Sequence, residues 1–190
     1  MNRTGGRKMA LQSVRVKPWS RVFGKIRQLL LSQFPKDELY PILPLRLMTL
    51  KRNFDCTAFL DEGQFVGFYY LLLSEKLHFL LYTAVAADRQ SKGYGGAIQK
   101  AIREKYPDQE IVCHIEMPKP SDTAGDQTIR RLRFYERNGY AFTGYKTMDE
   151  GVKYWVMSTR GRDFDRASYD KLFRDMEGEK GVPKLELVRE

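Results

Sequence analysis

Gln90-Ser91-Lys92-Gly93-Tyr94-Gly95-Gly96 is the stretch on which the reading of this chain turns. It follows an apolar run, 77–85, and precedes Ala97, Ile98, Ala101 and Ile102, whose spacing fits one face of a helix. Glycines let a backbone turn tightly, so the N–H groups from about Ser91 to Gly96 can converge on phosphate oxygens at the positive end of a helix beginning near Tyr94. Arg89 and Lys92 add cationic charge beside it. As a string alone the turn is equally compatible with a plain strand-to-helix connection. No Lys-Ser or Lys-Thr pair follows to make a Walker loop, and no acidic residue stands at the spacing of a dinucleotide site.

Working outward, strand 77–85, the turn, its helix and an apolar run at 110–117 form a crossover unit, which requires two parallel neighbours in one sheet. Upstream, 13–17 alternates like a short strand. Phe23, Ile26, Leu29, Leu30 and Phe34 recur at helical spacing until Pro35, and a second helical segment is expected over 39–52, interrupted by Pro41 and Pro44. Segments 54–60 and 64–74 flank Asp61-Glu62-Gly63 as a hairpin. Downstream, 128–138 reads as a helix capped by Gly139, and 140–148 with 152–159 as a closing hairpin. Phe164, Leu172, Phe173 and Met176 suit a short helix, and the last ten residues read as a tail. The expected fold class is mixed α/β (α+β). It has a mostly antiparallel central sheet of six to seven strands, flanked by helices and holding one parallel pair. Residues 1–10 are expected to be a disordered extension, 11–160 the folded domain and 161–190 a helical extension and tail.

The chain has 190 residues, 42% of them hydrophobic, and a formal net charge of +9. That is enough apolar material for one packed core, and the charge favours anionic partners without choosing among them. Cys56 and Cys113 are the only cysteines. They are too few to staple the domain, and no histidine lies at metal-ligand spacing, so a reducing, cytoplasmic setting and no metal are expected. No apolar run approaches the ~20 residues of a membrane span.

One crossover beyond the turn stands Arg133-Phe134-Tyr135-Glu136-Arg137-Asn138-Gly139-Tyr140. Together the two motifs resemble the GNAT N-acyltransferase superfamily, in which such a helix lies beside acyl-CoA. The resemblance implies a GNAT-like domain that uses acetyl-CoA, that is, coenzyme A carrying an acetyl or longer acyl group. By it, Gln90, Ser91, Lys92, Gly93, Tyr94, Gly95 and Gly96 would hold the pyrophosphate. The parallel pair 77–85 and 110–117 would be splayed, and the backbone of Ala84, Val85 and Ala86 would meet pantetheine and the acyl group in the gap. Thr128 and Arg131 stand where the family often has Asn and Ala. The missing Asn removes one usual cofactor contact, and Arg131 either replaces it at a phosphate or belongs, with Arg130 and Arg133, to a solvated face.

Acyl transfer to an amine needs a neutral nucleophile, an oxyanion donor and a proton for the departing thiolate. Tyr135 occupies the family position that often protonates the thiolate. The strand position that carries a catalytic glutamate in some relatives falls at Phe79, which leaves His114 and Glu116, two residues apart on one strand face, as substitutes or else as a core histidine and a solvated strand end. A backbone N–H near Val85 would serve as oxyanion donor. The acceptor pocket is expected among 23–27, 39–52 and the closing hairpin with Tyr145 and Tyr154. The implied function is an N-acetyltransferase acting on a primary amine of a small molecule or protein by direct attack in a ternary complex. An inactive acyl-CoA-binding module and a basic nucleic-acid-binding protein are the alternatives. Homodimerisation through 160–176 would be consistent with the family.

Overall fold

The computed structural model describes residues 11–36, 38–149 and 151–188; the expected extension over 1–10 lies outside the described residues. In chain order the elements are β1 (Leu11–Arg15), α1 (Phe23–Gln33), α2 (Ile42–Met48), β2 (Phe54–Asp61), β3 (Gln64–Leu73), β4 (Leu77–Val85), α3 (Tyr94–Lys105), β5 (Glu110–Glu116), α4 (Gln127–Arg137), β6 (Ala141–Asp149), β7 (Val152–Ser158), α5 (Arg166–Glu177) and β8 (Glu186–Leu187). The strands make one sheet in the order β1-β2-β3-β4-β5-β7-β6-β8. Every neighbouring pair is antiparallel except β4 and β5.

Both faces of the sheet are covered, and the central strands are therefore mostly apolar on both sides. On β3, Tyr69 and Leu71 face the core under α3 and α4, with Ile98, Ile102 and Tyr135. Phe68 and Tyr70 face the opposite way, onto Phe23, Ile26, Leu30 and Leu45 of α1 and α2. A third cluster joins Phe79, Val112 and Val156 to Tyr169, Leu172 and Phe173 of α5. Helix α2 is shorter than the expected 39–52, because Pro41 fixes its start and its turn ends at Thr49.

Among the described residues the sheet has eight strands, one more than the upper expectation. The eighth is a two-residue edge strand, Glu186–Leu187, pairing with Lys146 and Tyr145. So short a pairing leaves no periodicity to read in sequence, and the stretch expected to be a tail is instead laid along the sheet edge.

The parallel pair meets over only three positions, Leu77 to Phe79 against Glu110 to Val112. On the other side of β4, Tyr70 pairs with Tyr82 and Leu71 with Leu80, so Leu81 is an extra residue in β4. Such a bulge bends its strand and sharpens the twist. Beyond Phe79 the two parallel strands diverge, and a cleft opens between them.

At the far edge of this layer, the Asp55 carboxylate is 1% exposed. It accepts hydrogen bonds from the hydroxyls of Tyr69 at 2.7 Å, Tyr106 at 2.9 Å and Thr57 at 3.0 Å, and from Lys105 Nζ at 2.7 Å. Burial alone would raise its pKa; the Lys105 and Tyr69 hydrogen bonds override that and hold it below the ordinary carboxylate value. The network ties β2 and β3 to the C-terminal end of α3. Asp55→Ala is expected to lower unfolding free energy by about 3 kcal/mol, since each buried group left unpaired costs ~1–3 kcal/mol. Urea denaturation measures it.

Candidate active site

The cleft between the diverging strands has a volume of about 1390 Å³ and runs from the N-terminus of α3, past α4, to the closing hairpin and the C-terminal segment. At one end the chain enters α3 through Gly93, whose φ of +86° is the left-handed conformation that glycine adopts without penalty. Ser91 also has a positive φ, +61°. The first N–H groups of α3 have no partner within the helix and project from its positive end. Gly95 is required by packing as well: a Cβ there would lie 2.9 Å from the Phe134 ring of α4. Gln90, Ser91, Gly93, Gly95 and Gly96 all line the cleft, as do Arg89, Arg130, Arg131 and Arg133. Free amides at a helix start, flanked by arginines, fit a diphosphate.

Two residues of the turn face elsewhere. Lys92 Nζ donates to the Asp88 carbonyl at 2.8 Å, and the Tyr94 hydroxyl to Asp61 at 2.6 Å. Neither residue is part of the cleft wall. Of the three residues at the end of β4, Ala84 and Val85 line the cleft. The Ala86 N–H is donated to the Val66 carbonyl at 2.9 Å. The Val85 carbonyl accepts the side-chain amides of Gln33 at 2.9 Å and Gln90 at 3.2 Å, a link between α1 and the turn that sequence spacing does not reveal.

Tyr135, 8% exposed, packs edge-on against Phe134 and Tyr140 while still lining the cleft. Burial raises its pKa well above that of a free phenol, so the hydroxyl stays protonated. His114 reaches the cleft from β5, with rings of Phe79, Tyr154, Tyr169 and Phe173 around it. Its Nε2 shares a 2.7 Å hydrogen bond with the Tyr169 hydroxyl, and burial lowers its pKa to about 4. The imidazole is therefore neutral near pH 7. Glu116, at the end of β5, is paired in register with Tyr154 but is not in the cleft wall.

The far end of the cleft holds a carboxylate that the sequence did not single out. Glu38, between α1 and α2, accepts the Tyr154 hydroxyl at 2.7 Å, and its backbone carbonyl accepts the Tyr82 hydroxyl at 2.8 Å. Tyr40 hydrogen-bonds through its hydroxyl to Glu177 of α5, and its N–H donates to Tyr82 at 3.0 Å. Of the expected acceptor-pocket residues, Tyr40 and Tyr154 line this end. Phe23 and Arg27 line a separate small depression instead, and Tyr145 packs against Phe164. The one hint in the sequence was the polar break 35–38 between two apolar segments.

The fold is one that solved acetyltransferase structures share. A putative GNAT-family acetyltransferase from Bacteroides thetaiotaomicron superposes with a TM-score of 0.71 at 20% identity, covering 88% of this chain and 98% of that one. The ribosomal-protein-S18-alanine N-acetyltransferase from Escherichia coli gives 0.58 at 13% identity, over 78% of this chain and 92% of that one. Arabidopsis thaliana Naa50, in complex with the bisubstrate analogue CoA-Ac-MVNAL, gives 0.59 at 15%, over 78% and 97%. By sequence, no family model and no curated protein matches the chain. Among the described residues no group of His, Cys, Asp and Glu could hold a metal ion, and no helix is long and apolar enough to cross a membrane.

The pKa of His114 makes stability pH-dependent in a defined window. A histidine whose folded pKa lies below its unfolded value of 6.5 contributes stability above pH 6.5 and loses it as pH falls towards about 4. Thermal melts between pH 7 and 4 are expected to fall less steeply for His114→Phe than for the unaltered protein.

Proposed function

We propose that the chain is an acyl-CoA-dependent N-acetyltransferase that acts on a primary amine, on a small molecule or protein, by direct attack in a ternary complex. The observation that carries this reading is the cleft itself: a helix start with free amides and arginines at one end, a buried phenol at the middle, and carboxylates at the other. The thioester substrate would be held by the backbone from Ser91 to Gly96, with Arg131 and its neighbours at the phosphates, and along Ala84 and Val85. What it brings is an activated acyl group.

The protein's own groups divide the proton work. Tyr135, kept protonated by burial, is the proton donor to the departing thiolate. A proton acceptor has to be ionised and reachable. His114, with a pKa of about 4 and its Nε2 engaged, is a weak base at neutral pH, and its role is to shape the cleft floor. Glu116 shares the Tyr154 face of the sheet but is not part of the cleft wall. Glu38, on the cleft wall and hydrogen-bonded to Tyr154, is the better-placed group to take the ammonium proton, directly or through that phenol.

Calorimetry with acetyl-CoA tests the cradle. Gly93→Glu adds a carboxylate and a strained φ at the helix start, and affinity is expected to fall roughly tenfold or more, each tenfold corresponding to about 1.4 kcal/mol. Equal binding in the two proteins would remove the cradle. Tyr135→Phe is expected to cut thiol release roughly 10²-fold with acetyl-CoA affinity retained. Unaltered turnover would take Tyr135 out of the mechanism, and thiol release absent with every amine would leave an acyl-CoA-binding module.

A further inference from the structure

A net charge of +9 suggests acceptors with negative charge, yet the groups around the acceptor end have the opposite bias. The arginines of the cleft sit on α4 and beside the glycine turn. Glu38, Asp149 and Glu177 line the other end, each from a different part of the chain. Burial raises the pKa of Tyr40, Tyr82 and Tyr154; Asp149 adds a smaller push in the same direction at all three, as does Glu116 at Tyr154. Tyr82 is pushed up to about 12, chiefly by burial. Lys180 and Lys184 of the C-terminal segment reach this wall too and offset part of the field. The carboxylates outnumber them.

Thr147 supplies an independent observation. It lies directly across from Tyr154 in the β6–β7 ladder, and cross-strand partners project from the same face of a sheet. Tyr154 reaches Glu38 in the cleft, so Thr147 faces the cleft as well, and it forms part of the wall. It is 3% exposed, and its hydroxyl oxygen is buried without a hydrogen-bond partner among the described residues. A buried hydroxyl in that state is unfavourable, and a donor or acceptor that reaches it recovers the loss.

We infer that the acceptor is an aliphatic diamine-type cation. Two nitrogens carry positive charge and no carboxylate or phosphate is present, one nitrogen being acylated while the other is held among Asp149, Glu177 and the Thr147 hydroxyl. The inference rests on the acyltransfer reading above and narrows it. An N–H of the second ammonium donates to Thr147 Oγ1 while the carboxylates balance its charge. A zwitterion or an anionic amine would bring its carboxylate against Asp149 and Glu177.

The test uses the whole chain and three probes of similar length: 1,4-diaminobutane, n-butylamine and 4-aminobutyrate. Each is titrated calorimetrically into the protein in the presence of coenzyme A, and each is offered with acetyl-CoA while thiol release is followed. The expected order is diaminobutane above butylamine by roughly tenfold or more, the scale of one charge-assisted hydrogen bond, with aminobutyrate weakest. In Asp149→Asn and in Thr147→Val the diaminobutane preference should shrink several-fold, with melting curves showing both variants folded. Selective diaminobutane binding without thiol release would uphold the subsite and overturn acyl transfer. Equal binding and turnover of butylamine and diaminobutane, or a preference for aminobutyrate, would overturn the diamine inference while leaving the acyltransferase reading intact.

Discussion

The structure depends on a single divergence. Strands β4 and β5 pair in parallel over three positions and then part, with Leu81 inserted in β4 at the point of departure. A continuous parallel ladder would bury both edges and leave no room between α3 and α4 for a ligand. Splaying creates unpaired strand ends, which must find partners. On β4 the Val85 carbonyl is taken by Gln33 and Gln90, and on β5 the last residues pair outward with β7. The cleft is thus a consequence of one extra residue together with side chains that tolerate it. Gly67 matters here too. A Cβ at that position would lie 2.5 Å from the Ala84 carbonyl, so β3 can follow β4 through its bend only without a side chain.

Much of this architecture was legible in the chain, for reasons that differ from element to element. Strand 77–85, the turn after it and the helix beginning at Tyr94 were readable because an apolar run, consecutive glycines and a 3.6-residue period adjoin without a gap. The α4 motif around Tyr135 was readable by resemblance. The splay was expected from the same source, but its physical cause was not, since a bulge at Leu81 leaves no mark in a run as uniformly apolar as 79–82. Strand β8 was invisible because two ladder residues cannot show a period.

The site divided along the same line. Glycines and arginines announce an anion-binding end through local chemistry, and the resemblance supplied Tyr135. Glu38 could not be found, because its importance comes from meeting Tyr154 across 116 residues of sequence. His114 was placed on a cleft-facing strand by alternation alone, but its protonation is decided by the Phe79, Tyr169 and Phe173 rings around it. Net charge does not describe the carboxylate-lined end of the cleft, for a related reason. It sums over the whole surface, whereas the field at one end of a cleft is set by the three or four groups nearest to it.

Helix α5 and the segment that leads from it to strand β8 lie far along the chain, yet they build one wall of the cleft through Glu177, Lys180 and Lys184. Their partners, Tyr40 at one side and Tyr145 with Lys146 at the other, were made long before in order of synthesis. Contacts of such wide sequence separation form late, because loop closure must be met before they yield anything. The half of the molecule that carries the proposed phosphate site, built around the compact β4–α3–β5 crossover, needs no residue from the end of the chain. The proposed acceptor end does. During folding, therefore, the capacity to hold a donor would precede the capacity to discriminate among acceptors.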